Sequence, residues 1–301
     1  MNAGIAILLP VHNRLDLTKK TLEELSMRMQ NSQHYKFYLV LIDDGSTDGT
    51  AEWVKHHYPE VIILMGDGNL WWSGAVNLGA KYALETLNAS YLFLYNNDIH
   101  LKKDYLPELL KILAENDSET IIGSKIYIAE QPDLIWSMGG YFNPKTGKYG
   151  MYGYYEKDSP YYNSVFSVDW FTGMGTVIPK EVIEKIGFWD NINFPQYHGD
   201  SDFTYRAKKA GFKLLVNPAL KIYNSVKHSG IEHEGSFKKL IQLITDIRSK
   251  SNFVKNFRFY RRYATSIRAY FPLVWSYFKI FGGFFKWKIL TFLHLKAGKN
   301  R

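Results

Sequence analysis

Four apolar runs within the first hundred residues, alternating with helix-patterned stretches, restrict this chain to a fold built from parallel βαβ units. Residues 4–11, 37–42, 61–65 and 91–95 read as strands. Residues 15–29 and 75–87 carry the spacing of amphipathic helices. Thr47 or Asp48 is placed to cap a further helix running through Trp53. Three of the strands end in polar residues, namely Asn13-Arg14, Asp43-Asp44 and Asn96-Asn97-Asp98. In open α/β sheets ligands bind beyond the carboxyl ends of the strands, so this convergence predicts one site on one edge of the sheet. Asp98 stands out as a carboxylate flanked by amides directly after an apolar run. Such a group suits a hard divalent cation, which joins one or two carboxylates to a substrate diphosphate. The same residues also suit a turn that ends a strand.

The length of 301 residues allows one large domain with an appendage, and 46% hydrophobic residues suffice for its core. There is no cysteine, which excludes disulfides, thiolate metal sites and cysteine nucleophiles. The first apolar run is short and meets Pro10, so it reads as a strand rather than a signal peptide, and no run of about 18 apolar residues predicts a spanning helix.

Charge is distributed unevenly along the chain. The net +8 arises from a tail with 13 basic and no acidic residues after Asp246, following a body with 24 basic and 29 acidic residues. The tail is also rich in aromatics, as in 271–278 and 284–287. Cations and bulky aromatics on a helix suit an anionic membrane surface. A helical hairpin packed on the body or on a second copy, giving a homo-oligomer, is the competing reading. A nucleic-acid partner is disfavoured, because so much Phe and Trp exceeds what phosphate binding needs. A Tyr- and Gly-rich stretch at 139–163 reads as a hairpin or loop with an aromatic face.

The ordered set of motifs resembles family-2 inverting glycosyltransferases of the GT-A fold. It comprises Pro10-Val11-His12-Asn13-Arg14, Asp43-Asp44-Gly45-Ser46-Thr47-Asp48, Gly68-Asn69 through Asn77-Leu78-Gly79, and Asn96-Asn97-Asp98. Trp170-Phe171-Thr172-Gly173, Gly199-Asp200-Ser201-Asp202 and His228 continue it, so that the likeness covers roughly residues 4–230. The chain looks most like a bacterial branch of rhamnosyl- and galactofuranosyltransferases that act on surface polysaccharides such as O-antigen or capsule. The resemblance implies an α/β, GT-A-like catalytic domain with a mostly parallel sheet over 1–235, its donor half in the first hundred residues and its acceptor half over 101–235; the basic, aromatic composition of 236–301 predicts a helical extension that associates with a membrane or oligomerises. It also implies a cytoplasmic enzyme, peripheral on the inner face of the membrane.

By this likeness the donor is a nucleoside diphosphate sugar, dTDP- or UDP-linked, and the acceptor is a glycan, free or lipid-linked. Pro10, Val11, Asn13 and Arg14 would line the nucleotide pocket together with Asp43 or Asp44, Asn69, Asn77 and Asn97. Asp98, with His228, would hold Mg2+ or Mn2+. Trp71, Trp72, Trp170, Gly173 and Asp202 would border the sugar or acceptor. Asp200 would be the catalytic base, since an inverting displacement needs a carboxylate to take the acceptor hydroxyl's proton. Relatives usually carry Glu-Asp-x-Asp here, and Gly199 replaces the Glu. A sugar-1-phosphate nucleotidyltransferase is the alternative enzyme, disfavoured by the missing glycine-rich phosphate loop. A non-catalytic carbohydrate-binding relative is the non-enzymatic one.

Overall fold

A computed structural model describes residues 3–29, 34–226 and 236–298, with side chains through residue 290. The chain divides into two compact units, one of Met1–Tyr141 with Gly150–His228 and one of Phe142–Tyr149 with Ser229–Arg301.

The first unit is a mixed α/β structure around a mostly parallel sheet. Its elements are β1 (Ala3–Val11), α1 (Leu15–Arg28), β2 (Tyr35–Asp43), α2 (Thr50–His57), β3 (Ile62–Met65), α3 (Trp71–Glu85), β4 (Tyr91–Leu94), β5 (Ile99–Leu101) and α4 (Tyr105–Glu115). They continue through β6 (Thr120–Ile128), β7 (Gln131–Ser137), β8 (Gly140–Phe142), β9 (Tyr149–Met151), β10 (Phe166–Ser167), β11 (Thr176–Pro179), α5 (Lys180–Ile186), α6 (Gly199–Lys209) and β12 (Lys213–Asn224). The hydrogen-bonded order is β10-β12-β6-β11-β4-β1-β2-β3, with β5 on β12 and β7 on β6. The pairs β3-β2, β2-β1, β1-β4 and β6-β12 are parallel, while β11 runs antiparallel to both β4 and β6.

Central strands of a parallel sheet are buried on both faces, which explains why β1 reads as one apolar run rather than an alternating one. Ala6, Leu8, Val40 and Ile42 pack on one face with the small residues of α3, and Ile5, Ile7, Leu9 and Leu41 on the other with α1 and α4. α3 lies close to the sheet because it carries Gly79, where a Cβ would stand 2.8 Å from Ile42 Cδ1. Pro10 is tolerated in β1 because pairing with β4 has ended at Leu8, so its missing N–H breaks no bond on that side.

The chain travels outward from β1 to β2 and β3, then returns across β1 to place β4 on its other side. That reversal opens a crevice at the carboxyl ends of β1 and β4, the switch point at which α/β sheets receive ligands. The turn Asn13-Arg14 and the segment Asn96–Asp98 flank it.

The second unit joins the hairpin tip at 142–149 to α7 (Phe237–Thr245), α8 (Phe253–Tyr263) and α9 (Tyr270–Gly298). Phe142 meets Phe259 and Tyr260 edge-on, at centroid distances of 5.3 and 5.6 Å, and Tyr149 meets Phe259 at 5.6 Å. Tyr260 Oη donates to Gly147 O at 2.7 Å, and Thr265 N donates to Pro144 O at 2.8 Å. Part of the basic tail is therefore a packing element, and part of the Tyr/Gly-rich stretch is what it packs on. Among the described residues no helix is long and apolar enough to cross a membrane.

Candidate active site

Two loops at the carboxyl edge are interlocked. Asn13 N donates to Ser46 Oγ at 2.7 Å, Thr47 N donates to Asn13 Oδ1 at 3.0 Å, and Asp44 N donates to Val11 O at 2.9 Å. His12 Nδ1 lies 2.6 Å from Asp44 O. A carbonyl only accepts, so this nitrogen carries the proton. Asn13 and Arg14 both adopt left-handed backbone, and Arg14 leads into α1, whose Leu15 N donates to Asp48 Oδ2 at 2.8 Å. Asp48 also accepts from Thr50 N and Oγ1, so it serves the starts of both α1 and α2.

Adjacent Asp43 and Asp44 divide their roles. Asp44 Oδ1 accepts from Gly68 N and Leu70 N, and Oδ2 from Trp71 N, at 2.8, 3.2 and 3.0 Å. This carboxylate holds the start of α3, which takes it out of the set facing a ligand. Asp43 is fully buried, with Oδ1 accepting from Ser46 N at 2.8 Å, while Oδ2 is buried with no hydrogen-bond partner. A buried orphan acceptor calls for an explanation, and a donor hydroxyl or N–H on a ligand supplies one.

The start of α3 turns out to be fully engaged. Trp72 N donates to Gln196 Oε1 at 3.1 Å and Ser73 N to Pro195 O at 2.8 Å, so with the amides on Asp44 its first turn offers no free N–H to a phosphate. Asn77, expected at the nucleotide, clips α3 to the loop between α5 and α6: its Nδ2 donates to Trp189 O and its Oδ1 accepts from Trp189 N, both at 2.9 Å. Asn69 is exposed and bonded within its own turn to Asp67. Trp170 is corrected outright. It is buried, and its ring lies where a Cβ at Gly140 would stand 2.0 Å away, so it belongs to the core and not to a sugar-facing wall.

Trp72 draws the remaining candidates together. Its Nε1 donates to Asn96 Oδ1 at 3.4 Å, and its ring covers Gly173 so closely that a Cβ there would stand 2.1 Å from Cζ2. Gly173 N donates in turn to Asp200 Oδ2 at 3.0 Å, and Ser201 N to Asp200 Oδ1 at 2.7 Å. Trp71, with positive φ, is half-buried beside it. Asp200 sits in the first turn of α6, and burial pushes its carboxyl up to about 6 against the pull of those backbone N–H groups. Tyr197, whose phenol is held up by burial and by the Asp200 charge, adjoins it. Neither Tyr197 nor Gln196 was flagged in the sequence; the run Phe194-Pro195-Gln196-Tyr197-His198 directly before Gly199-Asp200 was the available signal.

Asp202, two residues further along α6, is turned away. It is fully buried and accepts from Arg206 Nε at 3.0 Å, while Arg206 also donates to Ile186 O and Phe188 O. This is an internal brace and not an acceptor-facing group. Gly199 lies where Ser73 packs against α6, since a Cβ there would stand 2.1 Å from Ser73 Oγ and 3.0 Å from Phe194 O. The Gly173 contact makes a sharp prediction. Gly173→Ala must displace either the Trp72 indole or the amide that holds Asp200, and overpacking of this kind costs about 1–3 kcal/mol. A denaturant midpoint lowered accordingly, with transfer lowered alongside, is the expected result; an unchanged midpoint would show that Trp72 moves freely.

Asp98 lies in the turn between β4 and β5, its Oδ1 buried and its backbone O accepting from Ser225 N at 3.1 Å. Asn97 Nδ2 donates to Thr18 Oγ1 at 3.3 Å, and Asn97 O accepts from Thr21 Oγ1 at 3.2 Å, which ties this turn to α1. His228 lies outside the described residues. Among those described, no group of three or more His, Cys, Asp or Glu residues could hold a metal ion. The donor set nevertheless fits a Mg2+-type ion, which takes one or two protein carboxylates and completes its shell from substrate phosphates and water.

A switch-point crevice at the carboxyl ends of β1 and β4, and the raised carboxylate of Asp200 linked to Asn96 through Gly173 and Trp72, suit a group-transfer enzyme acting on a nucleotide-linked substrate. The chain belongs to glycosyl transferase family 2, whose model matches residues 6–179. It is similar to the low-salt glycan biosynthesis hexosyltransferase Agl10 of Haloferax volcanii, at 22% identity over 211 residues, 70% of this chain and 65% of that protein. It also matches an uncharacterized protein of Methanocaldococcus jannaschii at 28% identity over 92 residues, 29% of this chain and 40% of that one. The chain thus spans less than two thirds of the length of either curated relative. Among solved structures, GalNAc-T7 with UDP, GalNAc and Mn2+ matches with a TM-score of 0.58 and 13% identity, over 92% of this chain and 57% of that one. The mannosyltransferase PcManGT of Pyrobaculum calidifontis with GDP-Man and Mn2+ matches at 0.56 and 14%, over 93% and 70%. At such identities the likeness establishes the fold.

Proposed function

We propose that this glycosyltransferase moves one hexose-class sugar from a nucleoside diphosphate sugar to a lipid-linked glycan, with inversion at the anomeric carbon and with the help of a divalent cation, in the synthesis of a surface polysaccharide. The observation that carries the reading is Asp200, a carboxylate raised by burial and held by two backbone N–H groups, one of them from Gly173 beneath the Trp72 ring.

The Val11–Arg14 loop and the orphan oxygen of Asp43 receive the nucleoside, Asp43 accepting from a ribose hydroxyl or a base N–H. Asp98 would hold the cation, which would supply Lewis-acid neutralisation of the charge that develops on the departing diphosphate. Trp72 and Gly173 wall the sugar. The acceptor oxygen then attacks the anomeric carbon from the face opposite the diphosphate. As the new C–O bond forms and the bond to the diphosphate breaks, Asp200 takes the hydroxyl proton. A base with a pKa of about 6 is ionised at neutral pH, yet is a stronger proton acceptor than an ordinary Asp, which is the compromise general-base catalysis favours.

The donor is tested by thermal shift with a panel of sugar nucleotides in Mg2+ or Mn2+, with dTDP-rhamnose ranked first and UDP-hexoses or UDP-galactofuranose next. A true donor at a hundred times its Kd stabilises the fold by about 2.7 kcal/mol. Stabilisation by none of them, GDP-sugars included, would overturn the reading.

A further inference from the structure

The second unit carries a feature that sugar transfer does not use. The tip of the β8-β9 hairpin and the start of α9 enclose a groove of about 1250 Å3, bordered by the cations Lys145, Lys148 and Arg268 and by the apolar Ile267, Phe271 and Val274. The apolar residues are not core. Ile267 is 86% exposed, Phe271 71% and Phe278 66%; Phe271, Val274, Trp275 and Phe278 form one stripe at helical spacing on α9, and Ile267 precedes it on a short 3-10 turn. The opposite side of the same helix is packed, with Leu273 and Tyr277 buried. The first turns of α9, Tyr270–Phe278, carry no charged residue, and one side of them is left uncovered, which marks a surface for an apolar partner.

We propose that this stripe and the groove beside it form the seat for an anionic lipid bilayer, with the phosphates of lipid headgroups between Lys145, Lys148 and Arg268 and with Ile267, Phe271 and Phe278 entering the acyl boundary. Charge decides the occupant. Segments 142–149 and 247–301 together hold 15 Lys and Arg and no Asp or Glu, so a second copy presenting the same face would repel this one, whereas a negatively charged surface is attracted. The stripe and Ile267 argue against nucleic acid, because phosphate binding gains little from five exposed apolar side chains, two of them Phe and one Trp. With no helix among the described residues long and apolar enough to cross, the helix lies in the interface and does not span it. Lys279, Lys286 and Lys288 reach headgroup level from the same helix by extending their side chains. This surface would bring the enzyme to the bilayer in which a lipid-linked acceptor resides. The new element is the hairpin tip, a loop more than a hundred residues away in sequence, as half of the lipid site.

The test is flotation of the full-length chain with phosphatidylcholine vesicles, with and without phosphatidylglycerol. The parent is expected to float only with the anionic vesicles. Lys145→Gln/Lys148→Gln is expected to weaken that binding by about thirtyfold, at roughly fivefold per cation lost. Phe271→Ser/Phe278→Ser, at exposed positions that the fold does not need, is expected to remove the part of binding that survives high salt. Unchanged flotation of both variants would overturn the proposal. So would a parent that sediments as a dimer without vesicles and becomes monomeric with the Phe pair replaced, or duplex DNA binding that needs the lysines and ignores the Phe pair. Flotation is read without donor, and donor stabilisation of the same variants without vesicles, so failure of the glycosyl-transfer reading and failure of this one appear in separate assays.

Discussion

Asp200→Asn is expected to lower sugar transfer by about 10²-fold or more while the donor nucleotide binds as before, since a positioned general base contributes at least that factor. The amide keeps the shape of the side chain, and its oxygen can still accept one of the two backbone N–H groups that hold the carboxylate. What it removes is the proton acceptor. The pH dependence follows from the same carboxylate. The folded-state pKa is raised from 3.8 to about 6, so the base is protonated and transfer is low below that value, rising through about pH 6 to a plateau above it. The stability effect has the opposite sense. Between 3.8 and about 6 the native state binds more protons at this site than the unfolded chain does, so the contribution of Asp200 to stability falls as pH rises through that window. A rate profile flat from pH 5 to 8, or a normally active Asp200→Asn, would place the base elsewhere. Asp202→Asn should leave the chemistry in place and lower stability, because it breaks a buried ion pair with Arg206.

Asp98→Ala is expected to abolish metal-dependent binding of the donor, which is measured by calorimetry with Mn2+ and then with the ion chelated. The carboxylate stands at the end of β4 with one oxygen buried, and the neighbouring side chains Asn96 and Asn97 are neutral amides engaged by Trp72 and Thr18. With a single protein carboxylate, affinity for the metal alone should be weak and should appear only together with the diphosphate. Donor binding that survives both the substitution and chelation would show that the diphosphate is held without a cation at Asp98.

β1, β2 and β4 were legible because a central strand buried on both faces is an uninterrupted apolar run, and β3, partly buried at the sheet edge, because its short apolar run follows a helix pattern. What the sequence did not disclose was set by partners distant along the chain. α3 begins at Trp71, four residues before the periodicity becomes visible, because its first amides are held by Asp44 and by Gln196 and Pro195 from over 120 residues away. Local reading could not tell which member of the Asp43-Asp44 pair the fold engages and which keeps an oxygen unpaired, since only the turn at 68–71 decides it. Within Asp200 and Asp202 the distinction was partly readable. Residues two apart on a helix point to different faces, and Arg206 lies four residues beyond Asp202, the spacing of a helical ion pair. Trp170 and Asn77 misled for one reason: an aromatic or amide inside a motif looks the same in sequence whether it serves the ligand or the packing around it. The hairpin tip gave no hint of its partner, because Phe142 and Tyr149 meet Phe259 across more than a hundred residues.

The central claim is that one sheet edge binds a sugar nucleotide and that Asp200 then drives transfer. Its most direct test follows nucleoside diphosphate release from the donor found by thermal shift, in the presence of Mn2+ and a glycan acceptor, for the parent, Asp200→Asn and Asp98→Ala. The parent should bind and release; Asp200→Asn should bind with an affinity within about threefold of the parent, as expected for a base that acts only in the chemical step, and release at least about a hundredfold more slowly; Asp98→Ala should do neither. Undiminished release by Asp200→Asn, or loss of donor binding in that variant alone, would contradict the account.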